Sequence, residues 1–239
     1  MAAGAGGTTE RAAALGLLCR RYEEVRAIRC PSCGAGRYYV ISRGILRCAS
    51  CGTGYRPFGR RAPINMIRLD YARWLSLAGS FARGESARAA SARSGASYST
   101  ALLAYDVVRG SVGRAGRGAV YGVRERRGRA VVEPAGRAGS AALASGRLGA
   151  VQEGSLVVTG RWRGYDALVA HGYRREGRRW APRGAARPGF AGFAVSWLSR
   201  YNGFGRGKLG LYLGEAAWRY NNRGGDLFSL AVDGLLGIG

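Results

Sequence analysis

The sequence predicts an α+β chain in three parts: a small cysteine-rich ribbon, a group of helices, and a longer region that mixes strands and helices. Two CxxC pairs lie near the N-terminus, apolar residues recur at helical spacing over residues 64–109, and turn signals separate short apolar runs beyond residue 119. Helical spacing indicates amphipathic helices, and short apolar runs between turns indicate strands. A chain of 239 residues with 47% hydrophobic residues can bury a core in one large domain or in two or three small ones.

The first part, residues 1–27, is predicted to be an N-terminal tail followed by a helix. Residues 1–9 are mostly Ala, Gly and Thr, which favours an unstructured tail. Residues 10–27 carry an apolar stripe with Glu and Arg residues between its members. The stripe consists of Leu15, Leu17, Leu18, Tyr22 and Val25. Cys19 lies on this helix and is interpreted as a small core residue.

Residues 28–63 contain two cysteine knuckles, Cys30-Pro31-Ser32-Cys33-Gly34 and Cys48-Ala49-Ser50-Cys51-Gly52, with fourteen residues between Cys33 and Cys48. Each CxxC makes a tight turn, and the glycine after it frees the backbone to fold back. Two such knuckles place four thiolates around one ion, and Zn²⁺ prefers soft sulfur in a closed four-coordinate site. Cys30, Cys33, Cys48 and Cys51 are therefore predicted to hold a structural zinc, since no position is left open for a substrate.

Residues 64–110 are predicted to form three helices. Ile67, Tyr71, Trp74, Leu75 and Ala78 mark the first. The second covers 85–92, a turn follows at 94–96, and the third covers 97–109. This succession is typical of a helix-turn-helix, although a helical hairpin that joins two domains fits the pattern equally well.

The start of the third helix is where a helix-turn-helix reads DNA. Tyr98, Ser99 and Thr100 are therefore candidates for polar contacts with phosphates or base edges. Arg93 and Arg109 are candidates for contacts with the nucleic-acid backbone. The glycine-rich joint that follows, residues 110–118, adds Arg114 and Arg117 as basic candidates.

Beyond the joint, the pattern changes to strands and then returns to helices. The runs 119–124 and 129–133 flank Arg127-Gly128 and predict a hairpin. A helix is predicted at 138–148 and a buried strand at 155–159. The helical pattern resumes at Phe190 and is interrupted at 202–203. It continues through a helix at 209–220 and a final helix from Asp226.

The charge of the chain points to an anionic partner. Lys and Arg number 38 against 14 Asp and Glu, a formal net charge of +24, and Lys208 is the single lysine. Arginine contacts phosphates with two hydrogen bonds and stacks on bases, and neutralised phosphates release counterions. A GC-rich genome is an alternative explanation for the scarcity of lysine, but it does not explain the scarcity of acids. Nucleic acid is therefore the predicted partner, with DNA favoured and RNA as the alternative.

The order of these parts resembles the zinc-ribbon insertion-sequence transposases, whose catalytic core is an RNase H-like domain. The resemblance runs from about residue 20 to the C-terminus. It depends on the CPxCG and CxxCG knuckles, the helix-turn-helix pattern, Trp162–Leu168 (WRGYDAL), Tyr201-Asn202-Gly203 and Tyr212–Arg223 (YLGEAAWRYNNR). It implies that residues 119–239 form a degenerate RNase H-like domain, with Arg161 and Arg163 beside the nucleic acid.

The family's three catalytic carboxylates are missing from this chain. In the family they bind two divalent metals that drive phosphodiester chemistry. The sequence pattern that carries the first is absent after Arg109, Gly160 stands at the position of the second, and the third falls near Pro188. The remaining acids Asp166, Glu176, Glu215 and Asp226 match scaffold positions of the family. The resemblance therefore implies a catalytically dead, transposase-derived protein that binds DNA without cutting it, in an architectural or regulatory role.

Two other functions stay open at this stage. A zinc ribbon with many arginines also suits an RNA-associated or ribosome-associated structural protein. The third hypothesis is an active transposase whose metal ligands lie elsewhere in the sequence. No apolar run reaches the length of a membrane span and no signal peptide is evident, so we expect a cytoplasmic protein, associated with the nucleoid or with ribonucleoprotein. The resemblance also permits a homo-oligomer, because such transposases act as multimers on paired DNA ends.

Overall fold

The computed structural model of the protein describes residues 5–41, 44–59, 61–113, 121–134, 156–159, 169, 172, 174–177, 189–201, 203 and 205–239. Among these residues, no helix combines the length and the apolar character that crossing a membrane requires. The predicted helix at 138–148 lies outside the described residues.

The described residues form seven α-helices and seven β-strands. The helices are α1 (Ala5–Glu23), α2 (Tyr71–Ala82), α3 (Ala87–Ser94), α4 (Tyr98–Val112), α5 (Gly189–Leu198), α6 (Leu209–Asn221) and α7 (Leu227–Leu236). The strands are β1 (Tyr38–Ile41), β2 (Ile45–Cys48), β3 (Gly54–Tyr55), β4 (Tyr121–Arg126), β5 (Arg129–Pro134), β6 (Leu156–Thr159) and β7 (Arg174–Gly177). The mixture of helix and strand confirms the α+β prediction.

The chain divides into two compact units. The N-terminal unit comprises residues 1–113 together with 222–239, and the second unit comprises residues 114–221. This differs from the predicted domain at 119–239, because α7 packs against α4, α2 and α1. The buried side chains of α7 find their apolar partners on those helices, which no local pattern could indicate.

Helix α1 contacts strand β1 of a three-stranded sheet in the N-terminal unit. The sheet is antiparallel with the order β1-β2-β3, and Leu46 of β2 is fully buried. Helix α1 begins at Ala5, so the predicted unstructured tail at residues 1–9 is wrong over residues 5–9, although Gly and Thr in this segment have low helix propensity. Leu15, Leu18 and Cys19 are buried as expected, whereas Leu17 and Val25 of the predicted stripe are exposed.

Side-chain caps set the starts of α2, α3 and α4. The side chains of Asp70, Ser86 and Ser97 accept hydrogen bonds from the backbone N–H groups three residues further on. Such caps satisfy N–H groups that the first turn of a helix leaves free. Helix α3 ends at Gly95 with φ +65°, a conformation that favours glycine. The predicted second and third helices are therefore confirmed, with boundaries that differ by one to three residues.

Helix α7 approaches the rest of the N-terminal unit closely. A Cβ at Gly234 would lie 3.0 Å from both Ser111 Oγ and Val112 Cγ1 of α4, so only glycine fits without a shift. Arg21 of α1 donates from Nε and Nη2 to the two carboxylate oxygens of Asp233, each at 2.7 Å. This two-bond geometry joins α1 to α7 across almost the whole sequence.

Glu85, in the turn between α2 and α3, connects the two helices through arginines. Its carboxylate accepts from Arg83 Nε at 2.8 Å and from Arg93 Nη2 at 3.2 Å. The hydrogen bond from Arg83, aided by Ser80 and Arg93, lowers the pKa of Glu85 to about 2. The ionised carboxylate is therefore the form that the folded protein favours.

We expect Glu85→Gln to lower the melting temperature at pH 7 and to lose that effect in acid. The folded-state pKa lies below the ordinary value of 4.5, so this stabilisation is present above pH 4.5 and disappears as the pH falls towards 2. Thermal unfolding at several pH values measures it. The control is Glu10→Gln, at an exposed acid of α1. The prediction would be contradicted if the difference in melting temperature between the wild type and Glu85→Gln stayed constant from pH 7 to pH 3.

The second unit contains the predicted hairpin and a small apolar core. Strands β4 and β5 pair antiparallel around Arg127-Gly128, and β5 and α5 both pack against α6. The core is formed by Ala130, Val132, Phe190, Ala194, Ala216 and Ala217. The side chain of Asn221 accepts from the backbone N–H of Ala130 at 2.6 Å and donates to its carbonyl at 2.7 Å, which ties the end of α6 to β5. Strand β6 agrees with the strand predicted at 155–159 and pairs parallel with β7.

A buried ion pair lies on α6 in the same unit. Glu215 is 1% exposed and accepts from Arg219 Nε at 2.9 Å, while Arg219 is 5% exposed. The guanidinium groups of Arg219 and Arg200 each lie 4.3 Å from the ring centroid of Trp197. Stacking on an aromatic ring offsets part of the cost of burying a guanidinium.

Candidate functional site

The two cysteine knuckles adopt the same backbone conformation. The N–H of Gly34 donates to the Cys30 carbonyl at 2.9 Å, and the N–H of Gly52 donates to the Cys48 carbonyl at 3.1 Å. Both glycines have φ +73°, where side chains other than hydrogen are disfavoured. The glycine that follows each CxxC in the sequence is therefore needed for the turn.

The knuckles bring the four predicted sulfur ligands together. The Sγ atoms of Cys30, Cys33, Cys48 and Cys51 all lie within 4.8 Å of one another. Cys30 and Cys51 are 3.6 Å apart, and Cys33 and Cys48 are 3.5 Å apart. A tetrahedral ion with metal–sulfur bonds of about 2.3 Å requires sulfur separations of about 3.8 Å. The cluster is therefore the right size to hold a metal ion.

Hydrogen bonds at Cys51 and Cys48 favour the thiolate, which is the form that binds metals. At Cys33 a backbone hydrogen bond with Ala35 lowers the pKa, but the neighbouring cysteine side chains outweigh it and raise the pKa of Cys33 to about 12. The side chain and backbone of Thr53 lower the pKa of Cys51 to about 6. Backbone N–H groups of Cys51 and Ser50 lower the pKa of Cys48, and Ser50 N lies 3.4 Å from the Cys48 sulfur. Cys19 lies outside the cluster, where burial raises the pKa of its thiol to about 12. It is the core residue that the sequence predicted.

The predicted base-reading residues lie together at the start of α4. The Tyr98 side chain is 50% exposed, and Ser99 is also exposed. Ser97 Oγ, which caps the helix, lies 3.0 Å from Ser99 Oγ and 2.8 Å from Thr100 Oγ1. Thr100 is half-buried, so Tyr98 and Ser99 are the members of this group that face solvent.

Of the two arginines on α3, Arg88 lies near this end of α4, whereas the guanidinium of Arg93 pairs with Glu85. Arg93 is exposed, and its guanidinium is oriented by Glu85. The guanidinium of Arg88 lies 5.4 Å from the centre of the Tyr98 ring. The sequence analysis did not single out Arg88, because it lies ten positions before Tyr98 and only the packing of α3 on α4 brings them together.

The structure does not support the contact predicted for Arg109. It was predicted to contact the nucleic-acid backbone, but its side chain is 2% exposed. It donates to Asp106 at 3.1 Å and stacks on Phe81 and Tyr105, with its guanidinium 5.8 Å and 5.6 Å from the ring centres. Its position faces the interior of the helical core, so Arg109 stabilises the fold and is not available to a phosphate.

The other predicted arginine contacts are Arg114, Arg117, Arg161 and Arg163, which lie outside the described residues. The same holds for Gly160, Pro188 and Asp166. Two of the remaining acids have structural partners, since Glu215 pairs with Arg219 and Asp226 caps α7 through the N–H groups of Phe228 and Ser229.

Comparisons of the chain with models of known protein families, with curated proteins and with solved structures find no match.

Proposed function

We propose that this chain is a nucleic-acid-binding protein derived from a transposase, which binds DNA without cutting it. The observation that carries the proposal is the exposed end of α4, where Tyr98 and Ser99 face solvent and the guanidinium of Arg88 lies against the Tyr98 ring. Polar and aromatic groups next to guanidiniums suit contact with base edges and phosphates together. The net charge of +24 supplies the long-range attraction.

In this proposal the four-cysteine cluster holds Zn²⁺ and acts as a zinc ribbon. The sulfur separations and the hydrogen bonds to sulfur support a closed tetrathiolate site. The ion contributes to folding and is not a catalyst, because the protein supplies all four ligands.

Helices α2, α3 and α4 act as the helix-turn-helix, with α4 as the helix that enters the major groove. The short turn at Gly95 and the cap at Ser97 support this assignment, since they leave the N-terminal turn of α4 exposed. The chain beyond residue 119 is the remnant of the RNase H-like core. The structural roles of Glu215 and Asp226 support the loss of catalysis, because acids held in an ion pair and a helix cap are poor candidates for metal ligands.

The proposed function is tested by measuring binding of the full chain to duplex DNA, single-stranded DNA and a folded RNA. We expect DNA affinity, followed by fluorescence anisotropy, to fall about 10³-fold or more between about 50 and 200 mM salt. Binding that does not change with salt would contradict the proposal. A preference for folded RNA would favour the ribonucleoprotein alternative, and nicking of DNA in the presence of Mg²⁺ would favour the active-enzyme alternative.

Tyr98→Ala tests the assigned surface. We expect it to weaken binding to duplex DNA about 10-fold, as loss of one good contact costs about 1–3 kcal/mol. The matched control is Tyr39→Ala on β1, because Tyr39 is a second exposed tyrosine of the same unit, at 61% exposure. Equal losses in both variants would count against α4 as the reading helix.

A further inference from the structure

An arginine-lined cleft in the N-terminal unit is separate from both the cysteine cluster and the start of α4. Its volume is about 700 Å³. The segment 64–73 forms one wall, and α1 and the ribbon contribute to the others. Four arginines from distant parts of the sequence line it: Arg11 of α1, Arg56 after β3, Arg68, and Arg73 of α2.

The charge of this cleft is poorly compensated. Asp70 is the one acid among the described residues that line it. Asp70 caps α2 and lies 3.4 Å from Arg73 Nε, so its charge is already shared with that arginine. Arg11, Arg56 and Arg68 are exposed, and no described residue forms an ion pair or a hydrogen bond with their side chains. Three free guanidiniums at one concave surface favour an anionic ligand.

The size of the cleft favours a ligand larger than one phosphate ion. Clefts of about 300–1,000 Å³ hold organic molecules of the size of a nucleotide. A second hollow of about 800 Å³ shares Arg56 and Asn65 with the cleft and is lined by Ile45, Tyr55 and Phe58. Asn65 is held in place by hydrogen bonds to the carbonyls of Phe58 and Gly59. A basic cleft that continues into a more apolar hollow suits a strand with alternating phosphates and sugars.

We propose that this cleft binds consecutive backbone phosphates of a nucleic-acid strand through Arg11, Arg56 and Arg68. The inference rests on the proposed function and deepens it, because it assigns a second phosphate-binding surface in addition to α4. The ligand chemistry is a set of closely spaced phosphates, which a nucleic-acid strand or a free polyphosphate can supply.

The first experiment compares two triple variants of the full chain with equal loss of charge. In the cleft variant, Arg11, Arg56 and Arg68 are replaced by Gln. In the control variant, Gln replaces the exposed arginines Arg20, Arg26 and Arg37, which lie outside the cleft. The slope of log K against log salt changes by about 0.7–0.9 for each phosphate contact, so we expect the cleft variant to lose about 2–3 from the wild-type slope and the control less than about 1. Equal losses would overturn the proposal, since they would show diffuse attraction only.

The second experiment maps protection of arginines from phenylglyoxal by mass spectrometry, with an oligonucleotide or with inorganic pyrophosphate. We expect the oligonucleotide to protect Arg11, Arg56 and Arg68 but not Arg20, Arg26 and Arg37. Protection by pyrophosphate at the same phosphate concentration would support the cleft as a phosphate-binding site. It would also identify a free polyphosphate as a source of the bound phosphates. If the wild type bound no nucleic acid, the proposed function would fail, and pyrophosphate protection alone would decide whether the cleft binds phosphates. If neither the oligonucleotide nor pyrophosphate protected Arg11, Arg56 and Arg68, the assignment would be overturned.

Discussion

Cys48→Ser should remove the bound metal and unfold the three-stranded sheet, while α2 to α4 remain folded. We expect the wild-type chain to carry about one zinc per molecule and the variant to carry almost none, because serine is a much poorer ligand than a thiolate. Cys48 is buried at the end of β2, next to Cys33. Structural zinc contributes about 10–16 kcal/mol to the folding of zinc-finger peptides. The free energy of unfolding of a whole protein is about 5–15 kcal/mol, so loss of the ion is enough to unfold the sheet.

Metal content by atomic absorption and amide hydrogen exchange measure this outcome. Protection of the amides in β1, β2 and β3 should disappear in the variant and also in wild-type protein treated with a chelator. Cys19→Ala is the matched control, because Cys19 is a buried cysteine outside the cluster. It should keep the metal. Full zinc content in Cys48→Ser, or its loss in Cys19→Ala, would disprove the four-thiolate assignment.

The second large effect concerns the ion pair of α6. Glu215→Ala should destabilise the second unit by about 3–5 kcal/mol, because it leaves the buried guanidinium of Arg219 without its carboxylate. Urea unfolding followed by tryptophan fluorescence measures the change, since Trp197 contacts Arg219.

A double variant separates the ion pair from packing. Replacing Glu215 by Leu and Arg219 by Met together removes both charges and keeps most of the volume. Such replacements are often neutral or stabilising, so the double variant should be more stable than Glu215→Ala alone. If the single variant lost less than about 1 kcal/mol, Arg219 would have to be as well solvated as an exposed residue.

Several features could be predicted because they depend on residues close together in the chain. The glycine after each CxxC has the positive φ that the knuckle requires, and Gly95 ends α3 in the same conformation. Ser97 caps α4 within one turn of the predicted start. The hairpin around Arg127-Gly128 follows from a turn between two short apolar runs. In each case the interacting residues lie within one short stretch of chain, at most from Tyr121 to Pro134, so a local pattern contains the whole signal.

The errors have a common physical origin in burial. Arg109 has the side chain expected of a phosphate contact, but it lies on the core-facing side of α4. There its guanidinium stacks on the rings of Phe81 and Tyr105. Leu17 belongs to the apolar stripe of α1 by spacing, yet it faces solvent because the sheet and α2 cover a narrower face, and Val25 is exposed because α1 ends before it, at Glu23. Which side of a helix is covered depends on its neighbours, and the sequence of one helix does not encode them.

The sequence by itself determined the paired knuckles, the ligand set, the excess of guanidinium groups and most of the helices. Only the tertiary structure decided that α7 belongs to the N-terminal unit, that Asn221 pairs with Ala130, and that Arg11, Arg56 and Arg68 line one cleft. The reason is that caps, turns and helical periods are set by the backbone within a few residues. Contacts between distant segments depend on the free energy of packing the chain as a whole, which rewards burial and pairing without regard to sequence separation.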